Sequence, residues 1–209
     1  MRKLPRSFYE RSDVTRIARE LIGKVLVTRF DNHRTSGRIV ETEAYAGVVD
    51  QASHAFGGRR TARTEVMFGR GGTAYVYLCY GIHHLFNVVT HGVGTPHAIL
   101  IRGIEPLEGI PLMVSRSGRA ALDRNVGRGP GNVSKALGIT TGDTGTDLLG
   151  SKIFIADDGF AYRADELVVS TRIGVEYSGK DALLPYRFSV KGHRHVSGPG
   201  VAMRKTSRR

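Results

Sequence analysis

The sequence predicts a mixed α/β fold of the α+β class, a single compact domain with a largely antiparallel, curved sheet and surrounding helices. Short alternating apolar segments occur in pairs joined by brief turn sequences, which is typical of β-hairpins. Strands and helices do not alternate regularly along the chain, which argues against a parallel sheet of βαβ units. The 209 residues include 27 glycines, which indicates many tight turns, and a chain of this length can bury one substantial core.

The predicted elements follow in chain order. A helix is predicted over residues 12–23, because apolar side chains recur on one face, Ser12 or Asp13 can cap its start and Gly23 can end it. A hairpin follows, with strands "KVLVTRF" and "RIVETEAY" joined by the turn "DNHRTSG". The strand in "HAILIRGIEPLEG" is expected to stop before Pro106. The remaining predicted elements are the strand pair "TAYVYLCY" and "HHLFNVVTH", helices at "PLMVSRSGRAAL" and "NVSKALG", and short strands at "KIFIA", "LVVSTR" and "YRFSV".

Domain boundaries and compartment follow from composition. Residues 1–203 are predicted to form one domain, and residues 204–209, "RKTSRR", a basic and mobile tail. No apolar run is long enough for a transmembrane helix, and no long basic amphipathic helix points to a membrane surface. The single cysteine, Cys79, cannot form an internal disulfide, so we expect a cytoplasmic protein, associated with the nucleoid if the source is bacterial.

The charge of the chain indicates a polyanionic partner. Thirty-one Lys and Arg against nineteen Asp and Glu give a formal net charge of +12. The excess is uneven, because Glu65 is the only acid between Gln51 and Ile104. Such a distribution favours binding to nucleic acid, whereas a solvated basic surface without a partner is the simpler alternative.

Two acids stand close together in the segment "RIVETEAYAG". Side chains alternate along a strand, so Glu41, Glu43 and Tyr45 are predicted to share one face and their neighbours the other. A carboxylate on such a face can be half of a structural ion pair with an arginine, or a general base kept ionised by surrounding positive charge. Paired carboxylates also occur in glycoside cleavage, and the spacing alone does not rank the two acids.

Aromatic residues and histidines give the next candidates. In "TAYVYLCYG", Tyr75 and Tyr77 share a strand face, whereas Tyr80 lies on the other face or on the following turn. Such tyrosines are often core residues, but in a basic protein they can also stack on bases or wedge into a base stack. His83 and His84 are adjacent and have no metal-ligand spacing, so we expect neither a metal ion nor another cofactor.

Four motifs together resemble the alkyladenine (3-methyladenine) DNA glycosylase family. They are "ETEAY", "SHAFGG", "MFGRGGTAYVYLCYG" and "IRGIEPLEG", in this order, and the resemblance extends over about residues 16–196. It implies a compact mixed α/β fold and a monofunctional enzyme. Such an enzyme flips a damaged purine out of duplex DNA and hydrolyses its bond to deoxyribose. The implied partner is double-stranded DNA containing damaged purines, and a monomer is expected.

The resemblance also implies roles for the residues that react. Glu43, the second acid of "ETEAY", would orient and deprotonate the attacking water. Arg102 of "IRGIEP" would face the phosphate beside the scissile sugar. Val175 of "RIGVEY" would offer a backbone carbonyl to the water, on a looser match. The resemblance assigns no role to Glu41, for which a supporting structural role is favoured.

Further matches imply a base pocket. Tyr45, His54 and Tyr77 would line it, and Asn87 would crowd its floor against the guanine 2-amino group. Tyr80 would insert into the duplex, which requires the chain to turn near it, since Tyr77 and Tyr80 cannot point the same way on a regular strand. Tyrosine walls would favour cationic alkylated purines by cation–π contact, and His54 would matter more for uncharged hypoxanthine.

Two functions of other classes compete with this one. A non-catalytic binder of damaged DNA or structured RNA could keep the same fold, but it has no need of an ionised Glu43 beside a phosphate-facing surface. A carbohydrate glycosidase that uses Glu41 and Glu43 is disfavoured, because two acids two positions apart lie close together rather than across a sugar ring.

Overall fold

A computed structural model describes residues 1–198, in which nine strands form one sheet and every pairing is antiparallel. The predicted fold class is confirmed. The tail predicted at residues 204–209, and the end of the domain predicted at 203, lie outside the described residues. The strands are β1 (Arg2–Lys3), β2 (Val25–Phe30), β3 (His33–Tyr45), β4 (Ala74–Cys79), β5 (His83–Thr90), β6 (His97–Glu108), β7 (Ile153–Asp157), β8 (Leu167–Ser170) and β9 (Arg187–Val190).

Short helices surround the sheet, and six 3-10 turns connect the strands in the described part of the chain. The α-helices are α1 (Arg6–Tyr9), α2 (Val14–Leu21), α3 (Ile110–Arg116) and α4 (Pro130–Leu137). The first long helix, α2, agrees with its prediction: the Asp13 side chain accepts a hydrogen bond from the Arg16 N–H at 2.9 Å and caps the start. Gly23 follows its end with φ +90°, a conformation that favours glycine.

The sheet bends at its centre, where β3 changes partner. The strand order is β1-β7-β2-β3-β6-β5-β4; β9 pairs with β3, and β8 with β9. The first part of β3 pairs with β2, and its end pairs with β9 instead. Register shifts in the β3–β6 ladder leave Val40 as an extra residue on β3 and Arg102 as an extra residue on β6. Such bulges bend a strand and redirect a side chain, which accounts for the curvature.

Three of the predicted boundaries are wrong. The turn in "DNHRTSG" is only Asp31 and Asn32, at φ +48° and +61°, because positive φ at both positions makes a two-residue hairpin and lets β3 start at His33. β6 continues through Pro106, whose missing N–H is tolerated beside a register shift in the β3–β6 ladder. α3 ends at Arg116, well before the predicted end, since the chain turns there.

The two faces of the sheet have different roles. One face packs against α2, where Val14, Ile17 and Leu21 are buried in the main hydrophobic core. This core stabilises the fold by burial of apolar surface. The Thr42 hydroxyl of β3 donates to the Ala18 carbonyl of α2 at 2.9 Å and joins the helix to the sheet. The other face carries a cavity.

Candidate active site

A cavity of about 200 Å³ lies on the sheet face opposite α2. Alternation along four neighbouring strands places it there, because every second side chain of each strand points away from the main core. The intervening residues Ala44, Phe86 and Ile101 are fully buried in that core. Loop residues near 52–54 and 173–177 cover the cavity. Its strand residues are Tyr45 from β3, Tyr75, Tyr77 and Cys79 from β4, Leu85 and Asn87 from β5, and Ala98, Leu100 and Arg102 from β6.

Glu43 lies at the edge of this cavity and is fully buried. One carboxylate oxygen accepts from the Ile173 backbone N–H at 2.8 Å. The other accepts from the Tyr45 hydroxyl at 2.9 Å and from Arg102 Nη1 at 3.3 Å. Burial raises the pKa of Glu43 above its ordinary value, although Arg102 and the two hydrogen-bond donors oppose that shift. A carboxylate that is more basic than usual is suited to accept a proton.

Arg102 joins the two acids of "ETEAY". Its Nε donates to Glu41 at 3.0 Å, its Nη1 to Glu43, and its Nη2 to the Ser197 hydroxyl at 3.1 Å. Glu41 also accepts from Arg187 Nε at 2.8 Å and from the Ser197 backbone N–H at 2.6 Å. Both acids are therefore in buried ion pairs, and neither is among the lining residues of the cavity. Glu43 bonds to three lining residues, whereas Glu41 bonds to one, Arg102. The phosphate-facing role of Arg102 stays a prediction.

The aromatic wall of the cavity contains His54, Tyr75 and Tyr77. His54 Nδ1 is 2.8 Å from the Tyr75 hydroxyl, and the His54 ring stands edge-to-face on Tyr77 with centroids 4.6 Å apart. Burial, with smaller contributions from Arg63 and Arg59, lowers the pKa of His54 to about 4. The imidazole is therefore uncharged at neutral pH.

The remaining predicted residues also line the cavity. Asn87 uses both amide hydrogens on backbone carbonyls, those of Tyr75 and Leu85, each at 3.2 Å, so its amide is held in one orientation. Val175 lines the cavity, but its carbonyl already accepts from the Ser178 backbone N–H at 2.9 Å and from the Ser178 hydroxyl at 2.6 Å. Within the same loop it is Ile173 that contacts Glu43. The structure thus brings Tyr45, His54, Tyr77, Asn87, Tyr80, Arg102 and Val175 to one cavity, with Glu43 beside it.

Tyr80 lies at the tip of the β4–β5 hairpin and is 92% exposed. Tyr80 and Gly81 have φ of +51° and +73°, so the chain turns where the sequence requires it to turn. For a non-glycine residue, positive φ is uncommon and unfavourable by roughly 1–3 kcal/mol. The hairpin therefore holds an exposed aromatic ring at the cavity mouth in a strained conformation.

Several residues of the site were not predicted from the sequence. Arg172 pairs with Asp50 below the cavity, and both side chains are buried. Its guanidinium carbon lies 4.7 Å from the centre of the Tyr45 ring. Arg63 and Ser197 are two further residues of the site that were not predicted from the sequence. No pattern could have selected them, because arginine is common throughout this chain and the contacts join segments that are far apart in sequence.

Within residues 1–198, no group of three or more His, Cys, Asp or Glu side chains is arranged to hold a metal ion. No helix in the described part of the chain combines the length and apolar character needed to cross a bilayer.

Comparison with known proteins gives one consistent family. The family model for methylpurine-DNA glycosylase matches residues 7–194. Relatives with the provisional name 3-methyladenine DNA glycosylase include one from Desulfitobacterium hafniense, 40% identical, covering 94% of this chain and 99% of the relative. Relatives from Bacillus cereus and Clostridium perfringens are 42% and 39% identical, cover 92% and 93% of this chain, and carry the same provisional name.

The matches confirm the resemblance found in the sequence motifs. They also confirm, at the level of the family, the prediction of a DNA glycosylase, which is a hydrolase of N-glycosidic bonds. With a family model over most of its length and full-length relatives near 40% identity, the chain belongs to the methylpurine-DNA glycosylase family.

Proposed function

We propose that this protein is a monofunctional DNA glycosylase of base excision repair, which flips an alkylated purine from duplex DNA into the cavity and hydrolyses its N-glycosidic bond. One observation carries the proposal: a fully buried carboxylate, Glu43, lies beside a cavity walled by tyrosines and of a volume suited to one base. A protein that only binds the damaged base has no need of a proton acceptor beside it.

Base flipping is the first step. A base inside a duplex cannot reach the cavity, and its extrusion costs roughly a few kcal/mol. Tyr80 is placed to offset part of that cost, because its exposed ring can occupy the gap and restore stacking with neighbouring bases. Tyr45 and Tyr77 then contact the faces of the flipped base.

Hydrolysis follows in the cavity. The bond from C1′ to the purine nitrogen breaks and leaves an oxocarbenium-like sugar, which the Glu43 carboxylate stabilises. A water oxygen then bonds to C1′ while Glu43 takes the proton of that water. The purine leaves with the bonding electron pair, and a cationic alkylated purine needs little further assistance. Among the described residues no lysine lines the cavity, which favours simple hydrolysis over Schiff-base strand cleavage.

The supporting roles are proposed in the same way. Arg102 orients Glu43 and faces the phosphate beside the sugar. Val175 contributes its backbone carbonyl to the water when the Ser178 hydroxyl, which donates to that carbonyl at 2.6 Å, gives up the contact. Asn87, with its fixed amide, excludes the guanine 2-amino group. We extend the proposed substrates to hypoxanthine and ethenoadenine, because stacking on tyrosine accepts any purine-sized ring.

The test is single-turnover base release from duplexes that contain one alkylated purine or one hypoxanthine. Glu43→Gln should abolish release while lesion binding stays near that of wild type. Glu105→Gln, on neighbouring β6 and half exposed, is the matched control and should release bases normally. Equal loss of binding and release in Glu43→Gln would contradict the catalytic role. Tight lesion binding without release in wild type would instead identify a binding protein.

A further inference from the structure

Two tyrosine rings of the cavity, those of Tyr45 and Tyr77, each have an arginine stacked on them. The guanidinium carbon of Arg172 is 4.7 Å from the Tyr45 ring centre, and that of Arg63 is 4.7 Å from the Tyr77 ring centre. Neither arginine lines the cavity itself. Each arginine therefore lies outside the cavity lining while it contacts a tyrosine ring that belongs to that lining.

The two arginines differ in how their charge is balanced. Arg172 is fully buried and paired with Asp50 through both of its Nη atoms, so its charge is neutralised locally. Arg63 is exposed and forms no ion pair with any acid of residues 1–198. Arg63 is thus a positive charge without a local counter-charge, in contact with the wall of the cavity.

Arg63 also determines which hydrogen bonds the wall can make. Its Nη2 lies 3.1 Å from His54 Nε2, and its Nε donates to the Tyr75 hydroxyl at 3.3 Å. Nη2 also lies 3.5 Å from His54 Nδ1, but its shorter contact is with Nε2, and a guanidinium can only donate, which favours the tautomer in which Nε2 accepts. In that tautomer the imidazole proton is on Nδ1 and is donated to the Tyr75 hydroxyl at 2.8 Å. Both ring nitrogens of His54 are occupied, and the ring is uncharged.

We propose that Arg63 is a specificity-determining residue that sets the balance between cationic and uncharged purines. Its charge beside Tyr77 and His54 opposes a positively charged base in the cavity and so lets uncharged lesions compete with cationic N3- or N7-alkylated purines. The inference rests on the proposed glycosylase function. It modifies the expectation that tyrosine walls simply favour cations, because the Tyr77 ring already has a cation on it.

The size of the effect follows from distance. A base stacked on Tyr77 would lie roughly 8 Å from the guanidinium. Repulsion between two unit charges at that distance lowers the equilibrium constant for placing a cationic base in the cavity by a factor of roughly 2 to 30, for effective dielectric constants of about 80 to 20. An exposed arginine belongs toward the lower end of this range.

The experiment measures single-turnover release of cationic 3-methyladenine and uncharged hypoxanthine, neither of which carries a 2-amino group, from otherwise identical duplexes. Arg63→Gln should raise the ratio of the 3-methyladenine rate to the hypoxanthine rate by a factor within this range. Arg63→Lys keeps the charge and should retain the wild-type ratio. Arg60→Gln removes an equal charge from the same segment, where Arg60 pairs with Glu65 at 2.7 Å, and controls for weaker attraction to DNA.

A second readout does not depend on activity. In ¹⁵N NMR spectra, wild-type His54 should be a neutral imidazole protonated on Nδ1, and Arg63→Gln should change this tautomer population. An unchanged rate ratio in Arg63→Gln, or the same shift in Arg63→Lys as in Arg63→Gln, would overturn the role of the charge. If wild type releases neither base, the proposed function fails and the inference fails with it, an outcome distinct from an unchanged ratio.

Discussion

Replacing Glu41 by glutamine is the sharpest test of how the site is supported. Glu41 is fully buried, and its two oxygens accept four hydrogen bonds. One oxygen meets Arg102 Nε, Arg187 Nε and the Ser197 hydroxyl, and the other meets the Ser197 backbone N–H at 2.6 Å. The buried cluster has two acids, Glu41 and Glu43, and two arginines, so its charges balance.

Glutamine has nearly the same shape but only one acceptor oxygen. If that oxygen faces the arginines, the amide NH₂ points at the Ser197 N–H and two donors oppose each other. If the amide is reversed, the NH₂ points at two guanidinium groups. In both cases one positive charge in the buried cluster loses its partner, a change that typically costs about 3–5 kcal/mol.

Urea denaturation followed by circular dichroism measures this loss. For an unfolding slope of about 2 kcal/mol per M, Glu41→Gln should lower the midpoint by roughly 1.5–2.5 M. Glu105→Gln is the matched control: within residues 1–198 the partly exposed Glu105 side chain is in ion-pair range of His193 alone, at 3.9 Å, and the expected change is within about 0.5 kcal/mol. If Glu41→Gln costs no more than Glu105→Gln, the charge-balanced cluster does not support the fold and the reasoning is refuted.

Two further predictions concern catalysis. Burial raises the pKa of Glu43 and only its ionised form can accept a proton, so the base-release rate should fall as pH decreases, with an apparent pKa above the ordinary value of 4.5. A pH–rate profile that stays flat down to that value would contradict the assignment. Tyr80→Ala should slow release from duplex DNA by roughly tenfold, since stacking on an aromatic ring is worth roughly 1–3 kcal/mol, and should slow release from single-stranded DNA much less. Because Tyr80 is 92% exposed, the Tyr80→Ala variant should have the same thermal unfolding midpoint as wild type. Equal losses of base-release rate on duplex and single-stranded DNA would argue against a wedge.

Local periodicity made much of the fold predictable. The hydrophobic face and the caps predicted α2, and alternation predicted the strands on either side of it. The sequence failed where a boundary depended on a neighbouring strand. Pro106 stays within β6 because of a register shift opposite it, and "DNHRTSG" is mostly strand because β2 pairs with it. The pairing with a neighbouring strand cannot be read from the sequence of one segment alone.

The candidate site was also predictable from the sequence only in part. By itself the sequence determined which residues share a face, since the side-chain period of a strand is two; Glu43 lies with Tyr45, and Tyr75 with Tyr77, as predicted. Glu41 and Glu43 have the same periodicity, so the sequence could not separate them.

Only the tertiary structure distinguishes the surroundings of the two acids. Glu41 meets Arg187 and Ser197 away from the cavity, whereas Glu43 meets Tyr45 and Ile173 at its edge. Except for Tyr45, these partners are more than a hundred positions away in the sequence. The bend of the sheet and the path of the loop that covers the cavity bring them next to the two acids. The pKa and the function of a carboxylate depend on such neighbours in space, and strand order, bulges and loop conformation determine which neighbours it has.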